Sequence, residues 1–239
     1  MTKLLTRKPK GTKKATKRKV KRHNSMVVEY STFYLVFTCI VKPSANDKTG
    51  EMIQTYLIDK ETISDSKVFG AKCGDCPLVD VCYVQKDKLS VRAALKRLID
   101  GESTAYVWST LDEVLAAISG REVRFGTYGD PSVIPLDDMA RIVDAVSKWT
   151  GYSHFWREIN PLYAQYLMAS VEDIHGELEA LSAGYRPFRV MLDSDEAPEV
   201  SDNAIECPHY TRGVQCIDCG LCAGQKVKAA PIYVWQHGQ

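Results

Sequence analysis

The 239-residue sequence lacks the segments that most simply identify a protein class. It has no run of about twenty apolar residues, so we expect no membrane-spanning helix. No apolar stretch follows the basic first residues, so we expect no export signal. There is also no Walker loop, no Gly-x-Ser-x-Gly elbow, no His-Glu-x-x-His helix and no internal repeat. These absences argue against P-loop nucleotide hydrolysis, serine hydrolysis and zinc proteolysis.

Acidic residues are missing from the first 28 positions. Eleven of the 31 Lys and Arg residues lie in residues 1–23, whereas all 30 acidic residues lie from Glu29 onward. Such a run repels itself and has little to bury, so we predict a disordered basic tail over residues 1–25. This tail is either a nucleic-acid-binding arm or localisation signal, or a solubilising extension. Its candidate nucleic-acid contacts are Lys13, Lys14, Lys17, Arg18, Lys19, Lys21 and Arg22.

The rest of the chain alternates between strand-like and helix-like patterns. Residues 26–41 and 53–58 are rich in β-branched and aromatic residues and predict a hairpin. Apolar periodicity then predicts strands at 105–108, 123–126, 152–156, 167–171, 187–192 and 231–235, and helices at 90–99, 111–118, 136–149, 162–166 and 174–183. Alternation of this kind predicts a parallel sheet with helical crossovers.

We therefore predict an α/β fold, with a partial or complete (β/α) barrel-like body over residues 26–195. A compact doubly wound sheet is the alternative. Residues 196–239 would form a cysteine-rich C-terminal segment with a closing strand. In either architecture, ligands should gather at the carboxyl ends of the strands.

Seven of the eight cysteines fall into two compact groups. The first group is Cys73, Cys76 and Cys82, and the second group is Cys207, Cys216, Cys219 and Cys222. Two-residue gaps let neighbouring thiolates converge on one ion or cluster. In a chain without an export signal, clustered cysteines more often bind metal than form disulfides, so we predict metal binding in the cytoplasm. Cys39 stands alone and is expected to be a small core residue.

The cysteine pattern favours iron–sulfur over zinc. The run Cys216-x-x-Cys219-x-x-Cys222 is similar to ferredoxin-type ligation, with Cys207 as fourth ligand. Zinc competes, because Cys219-Gly220 also resembles a zinc knuckle. Three cysteines in the first group would leave one iron of a [4Fe–4S] cluster open to a ligand, whereas zinc would need His or water there. Alternatively, Cys207 completes the first site.

Polar and glycine residues at predicted strand ends are the candidate ligand contacts. Gly126 and Gly129 permit close backbone approach, and Asp130 would accept bonds from an amine or hydroxyl, or cap the next helix. The candidate set is Gly126, Tyr128, Gly129, Asp130, Ser170 and Glu172. His154 is expected to be a hydrogen-bonded structural residue, and His209 is a less favoured replacement for a cysteine ligand.

This layout resembles that of radical S-adenosylmethionine enzymes with an auxiliary cluster. The resemblance implies a three-cysteine [4Fe–4S] cluster that binds S-adenosylmethionine at the mouth of a partial barrel, with residues 126–130 at the cofactor's amino group. The spacing Cys-x2-Cys-x5-Cys differs from the Cys-x3-Cys-x2-Cys usual in that superfamily.

The chain also resembles an uncharacterised family of cysteine-rich bacteriophage proteins. The matching residues are 3–6, 76–78, 82–84, 124–131, 150–152, 168–171, 188–190 and the second cysteine group. This resemblance implies the cytoplasm of an infected bacterium and no particular activity. Three hypotheses follow: an iron–sulfur enzyme of unknown substrate that cleaves S-adenosylmethionine, a non-catalytic zinc protein that binds nucleic acid or a host partner, and a redox or electron-transfer iron–sulfur protein.

Overall fold

The computed structural model describes residues 23–64, 68, 70–76, 78–80, 82, 84, 89–102, 105–191, 203–226 and 228–235. The predicted nucleic-acid tail lies outside these residues from Met1 to Arg22, including Lys13, Lys14, Lys17, Arg18, Lys19 and Lys21. The predicted boundary between residues 195 and 196 also lies outside them. The tail's role and this boundary therefore stay predictions.

Strands and helices alternate along most of the described chain. The strands are β1 (Met26–Glu29), β2 (Phe33–Thr38), β3 (Ile53–Asp59), β4 (Val107–Trp108), β5 (Glu122–Tyr128), β6 (Lys148–Thr150), β7 (Tyr152–Ser153), β8 (Met168–Val171), β9 (Pro187–Met191), β10 (Ile205–Glu206) and β11 (Ile232–Trp235). The α-helices are α1 (Leu89–Ile99), α2 (Leu111–Ile118), α3 (Leu136–Ala145), α4 (Ile174–Ser182), α5 (Pro208–Arg212) and α6 (Cys216–Cys219). Short 3-10 helices cover Cys73–Asp75, Pro131–Val133, Pro161–Gln165 and Gly224–Lys226. Within the described part of the chain, no helix is long and apolar enough to cross a membrane.

Two sheets carry the fold. The first has the order β4-β1-β2-β3-β5-β6, with antiparallel pairing among β1, β2 and β3 and parallel pairing elsewhere. The second has the order β10-β11-β9-β8-β7 and is parallel throughout. The expected α/β class is therefore confirmed: the described chain contains two sheets together with helices.

One chain segment belongs to both sheets. Residues 148–150 pair with β5 in the first sheet, and residues 152–153 pair with β8 in the second. Gly151 lies between them, and its N–H donates to the carbonyl of Cys222 at 2.9 Å. The strands β3, β5, β6/β7, β8, β9 and β11 consequently run in one direction, and their carboxyl ends lie on one edge.

The first sheet is covered on both faces. All six residues of β2 are buried, and alternate side chains enter different apolar clusters. Helices α2 and α3 pack against one face, and α1 packs against the other. Burial of each large apolar side chain contributes about 1.5–3 kcal/mol, which is why the hairpin region is a fixed support for the site.

Several predicted boundaries differ from the structure. Residues 26–41 form two strands rather than one extended segment, because a turn at residues 30–32 separates β1 from β2. The helix predicted over 136–149 ends at Ala145, because residues 148–150 pair with β5. The strand predicted over 152–156 ends at Ser153, where the side chain of Asp130 binds the following residue, His154.

Cys39 is not the core residue that the sequence predicted. It is half-buried and adopts a left-handed backbone with φ of 64° directly after β2. The following residue, Ile40, is the buried one and donates its N–H to the carbonyl of Asn24. The chain must turn sharply at Cys39 to make that contact, which turns the thiol partly out of the core.

Gly129 ends β5 against β3 and provides a test of this packing. It has a φ of +81°, and a Cβ atom there would lie 2.3 Å from the carbonyl oxygen of Leu57. We expect Gly129→Ala to lower the free energy of unfolding by roughly 3 kcal/mol or more. The matched control is Gly120→Ala, with φ of +72° and open space around the new atom. It should cost only about 1 kcal/mol. Equal urea midpoints for the two variants would contradict the close approach.

Candidate metal and ligand site

The first cysteine group lies in the loop that leaves β3. Ala71 fastens this loop to the sheet: its N–H donates to Leu57 and its carbonyl accepts from Asp130, at 2.8 and 3.0 Å. Lys72 has a left-handed φ of 61°, and the short 3-10 helix at Cys73 follows. Non-glycine residues hold such a conformation when their surroundings enforce it. The loop is therefore a constrained part of the sheet edge.

Three thiols are brought together there. Backbone turns join Cys76 N–H to the Cys73 carbonyl at 3.2 Å and Val79 N–H to the Cys76 carbonyl at 3.0 Å. Cys82 N–H then donates to the Val79 carbonyl at 3.4 Å. The three side chains line one cavity. Successive turns and the short 3-10 helix Cys73–Asp75 place the three side chains along this cavity, but among the described residues they do not converge on one ion position.

Burial controls the protonation of these thiols. The pKa of Cys73 is raised to about 12, chiefly by burial and also by the neighbouring Cys76 and Cys82, against the lowering effect of a hydrogen bond from the Gly129 backbone. Burial likewise raises the pKa of Cys76 to about 11, opposed by a hydrogen bond from the Leu78 backbone. At neutral pH these thiols are protonated unless a cation stabilises the thiolates, as a metal centre does.

The glycine-containing end of β5 supports the first group. Asp130 caps the 3-10 helix Pro131–Val133 by accepting the Ser132 N–H at 3.0 Å, so the capping role is confirmed. Its carboxylate also accepts from the Ser153 hydroxyl at 2.7 Å and the His154 N–H at 2.9 Å. Gly126, Tyr128, Gly129 and Asp130 all line the cavity. Asp130 therefore fixes two strand ends while facing the predicted ligand position.

His154 and Ser170 are two further polar side chains that line the cavity next to Asp130. The Nε2 atom of His154 lies 2.9 Å from the Ser170 hydroxyl and 3.7 Å from the Glu172 Oε1 atom. Burial lowers the pKa of His154 and raises that of Glu172, so the pair does not form a strong ion pair. Glu172 Oε1 is buried and has no hydrogen-bond partner among the described residues. Glu172 is not among the residues that line the cavity, so its predicted contact with a ligand stays a prediction.

The cavity has a volume of about 200 Å³ and extends beyond the first group. One end is lined by Cys73, Cys76, Cys82, Asp130, His154 and Ser170. The other end is lined by Lys48, Arg124, Tyr152, Phe188, Val190, Val234 and Trp235. Asp130 and His154 follow the carboxyl ends of β5 and β7, as expected for ligand sites in α/β sheets, whereas Arg124 and Phe188 lie near the amino ends of β5 and β9.

The second cysteine group is anchored on three separate elements. Cys207 N–H donates to Tyr233 in β11 at 2.9 Å, and Cys216 N–H donates to the Lys48 carbonyl at 2.8 Å. The Cys222 carbonyl accepts from Gly151, where the two sheets meet. A small cavity of about 20 Å³ is lined by Cys207, Cys216, Cys219 and Cys222, together with His209. The structure thus groups Cys207 with the second set, not the first.

Burial raises the thiol pKa in the second group, as it does in the first. Burial raises the pKa of Cys222 well above its ordinary value, and the three other cysteines raise it further. Burial raises the pKa of Cys216 as well, whereas Arg124 and Lys48 lower it. The Nδ1 atom of His209 is buried without a partner in the described chain. A bound cation would favour the thiolates here too. Yet among the described residues, no three Cys, His, Asp or Glu side chains converge on one ion position.

Arg186 fixes the segment that follows the second group. Its guanidinium donates to four backbone carbonyls at 2.7 to 3.0 Å: Leu221, Gly224, Ala229 and Ala230. Burial lowers the pKa of Arg186, while Cys222 raises it. Because the residue is buried, these bonds hold the chain on both sides of the 3-10 helix Gly224–Lys226.

Sequence reasoning missed Lys48, Arg124 and Arg186. Lys48 lies in a turn and Arg186 just before a strand, and neither belongs to a motif, while Arg124 begins the stretch 124–131 but was given no role of its own. The sequence carried one signal for two of them. Arg124 and Arg186 stand next to β-branched or aromatic residues that predict buried strands, and charged residues are rarely buried without a partner. Their partners lie far along the chain, so the sequence could not identify them.

Comparison with protein-family models, with curated proteins and with solved structures finds no match to this chain. The function of the protein is therefore inferred from the geometry of the site.

The division of the seven cysteines into three and four can be tested. We expect Cys207→Ser to reduce the metal bound by the second group and to leave the share bound by the first group. Cys73→Ser should do the reverse. The measurement is metal and acid-labile sulfide per chain after anaerobic purification. Cys39→Ser is the matched control, because Cys39 belongs to neither group. Loss of all metal in Cys207→Ser, with the fold intact, would contradict two separate centres.

The Arg186 contacts predict a measurable structural role. Arg186→Met would leave four buried or part-buried carbonyls without their donor, which should cost about 3 kcal/mol or more. The urea midpoint should fall, and metal bound by the second group should fall with it. Arg141→Met is the control, because Arg141 is exposed and its ion pairs with Asp112 and Asp138 are worth less than about 1 kcal/mol. Equal midpoints for both variants would refute this role.

Proposed function

We propose that the protein is an iron–sulfur enzyme whose first cysteine group binds a [4Fe–4S] cluster beside an S-adenosylmethionine site. The observation that supports this most is that Cys73, Cys76 and Cys82 line one cavity together with the glycine-containing end of β5. Three protein thiolates leave one iron of such a cluster open for a small-molecule ligand. The chemistry supplied by a reduced cluster of this kind is one-electron cleavage of bound S-adenosylmethionine.

A run of six parallel strands supports this proposal. The six parallel strands β3, β5, β6/β7, β8, β9 and β11 are joined through the segment that belongs to both sheets. We interpret them as one curved wall, open between β3 and β11. The first cysteine loop leaves the first of these strands, β3. A (β/α) barrel presents its ligands at the same edge.

The chain's own residues have defined roles in this site. Cys73, Cys76 and Cys82 would hold the cluster, and the Gly129 backbone stabilises the Cys73 thiolate by hydrogen bonding. The residues predicted to contact the cofactor are Gly126, Tyr128, Gly129, Asp130, Ser170 and Glu172. All of these except Glu172 line the cavity, and Glu172 Oε1 lies 3.7 Å from the Nε2 atom of His154.

The volume of the cavity limits which molecules it can hold at the same time. The cavity of about 200 Å³ is smaller than the roughly 300–1,000 Å³ typical of small-molecule sites. Binding of both a nucleoside cofactor and a substrate therefore requires the cavity to widen. A small substrate is favoured for the same reason.

The second group would hold an auxiliary or structural centre, and zinc is the alternative metal there. The cavity of about 20 Å³ among its four cysteines is close to the space of a single water-sized particle. A four-thiolate zinc site requires no more than that. A [4Fe–4S] cluster would require the side chains to move apart.

The deciding experiment is the metal and sulfide content of anaerobically purified protein, followed by S-adenosylmethionine cleavage under reduction. We expect iron and sulfide near four per chain, or near eight if both groups hold clusters, with broad absorption near 400 nm. Cleavage to methionine should occur in the wild type and in Cys39→Ser. It should be lost in Cys76→Ser.

Two results would replace the proposal. Zinc without sulfide would favour a non-catalytic zinc protein, and the interaction of residues 1–22 with nucleic acid would become the question. A reducible cluster without cleavage of S-adenosylmethionine would favour an electron-transfer protein.

A further inference from the structure

Three cationic side chains line the cavity: Lys72 beside the first cysteine group, and Lys48 and Arg124 near the second. The ammonium of Lys48 and the guanidinium of Arg124 line the same wall. Both act on the thiol of Cys216, so both lie near the second group. Arg124 is buried, with 8% of its surface exposed. A half-buried ammonium such as that of Lys48 is usually compensated by an anion, so its neighbours indicate what the cavity can bind.

The neighbours of Lys48 do not supply that anion. Its Nζ atom donates to the Tyr210 hydroxyl at 3.2 Å and lies 4.6 Å from the centre of the Tyr210 ring. Among the described residues, no carboxylate is within ion-pair distance of Lys48. The backbone of Lys48 is fixed by Cys216, so the side chain starts from a defined position.

Apolar side chains form the wall beside these cations. Tyr152 and Phe188 are stacked, with ring centroids 4.4 Å apart, and both line the cavity. Val190 and Val234 line it from the neighbouring strands. A flat apolar surface next to two cations matches a ligand that has a flat apolar body and a terminal anionic group.

We propose that Lys48 and Arg124 form an anion-binding subsite for a small substrate with a carboxylate or phosphate group on a planar apolar body. This inference rests on the proposed function only in calling that ligand a substrate. The competing explanation is that both cations compensate the charge of four thiolates in the second metal centre. That explanation requires no anion selectivity in the cavity.

Ligand binding to the metal-loaded protein distinguishes the two explanations. The probes are phenylacetate, phenyl phosphate and neutral phenylacetamide, titrated by calorimetry or by NMR. We expect at least one anionic probe to bind about tenfold more tightly than phenylacetamide, as expected for a charged hydrogen-bond pair. Comparing phenylacetate with phenyl phosphate identifies which anion is preferred. Equal affinity for all three probes would overturn the subsite.

Two variants identify the origin of the preference. Lys48→Met should abolish it, whereas Lys60→Met should keep it, because Lys60 pairs with Glu29 away from the cavity. Cys207→Ser, which removes a ligand of the second centre, should retain the preference if the cations bind the probe directly. The proposal is wrong if Lys48→Met retains the preference. It is also wrong if Cys207→Ser loses the preference together with Lys48→Met.

The result is independent of the cleavage assay. Anion preference without cleavage of S-adenosylmethionine would leave the subsite standing and remove the proposed activity. Cleavage without anion preference would remove the subsite alone.

Discussion

The hydrogen bonds and close packing of Gly151 hold the candidate sites in one frame. Its N–H binds the carbonyl of Cys222, and its own carbonyl accepts from Met168 at 3.0 Å. A Cβ atom at this position would lie 2.9 Å from both Phe125 and Leu167. Only a glycine fits between these side chains, so the strand can pass from one sheet to the other without a gap. The second cysteine group is thereby attached directly to the junction of the two sheets.

This junction relates the two cysteine groups through the cavity. The first group is attached to β3 and β5 on one side of the junction. The second is attached to the junction itself, to β11 and to the loop containing Lys48. Each group therefore depends on backbone bonds to the sheet, and the cavity between them is a consequence of strand order rather than of loop sequence. These bonds fix the backbone of both cysteine segments, although neither segment is a long helix or strand.

Sequence patterns correctly predicted the helices and strands whose ends are set by neighbouring residues in the chain. Helix α2 begins and ends at the predicted residues because Thr110 and Glu113 form a capping box, and its apolar stripe ends at Ile118. The α3 prediction was too long because Val146 and Trp149 continue the apolar pattern, while pairing with β5 is a long-range effect. The cysteine groups were visible from spacing, and their separation into three and four required the fold. Lys48 and Arg186 act through contacts that no local window contains.

The anchoring of the second group has a consequence for biosynthesis. The residues around the first group lie between positions 53 and 172, so the ribosome completes them well before it reaches Cys207. The second group must return to the loop at Asp47, a separation of 168 residues from Gln215. Contacts of such sequence separation form late, because a long loop must close first. If the first group binds metal as proposed, it can do so on a nascent chain, whereas the four thiols of the second group stay unassembled until translation of that region is finished.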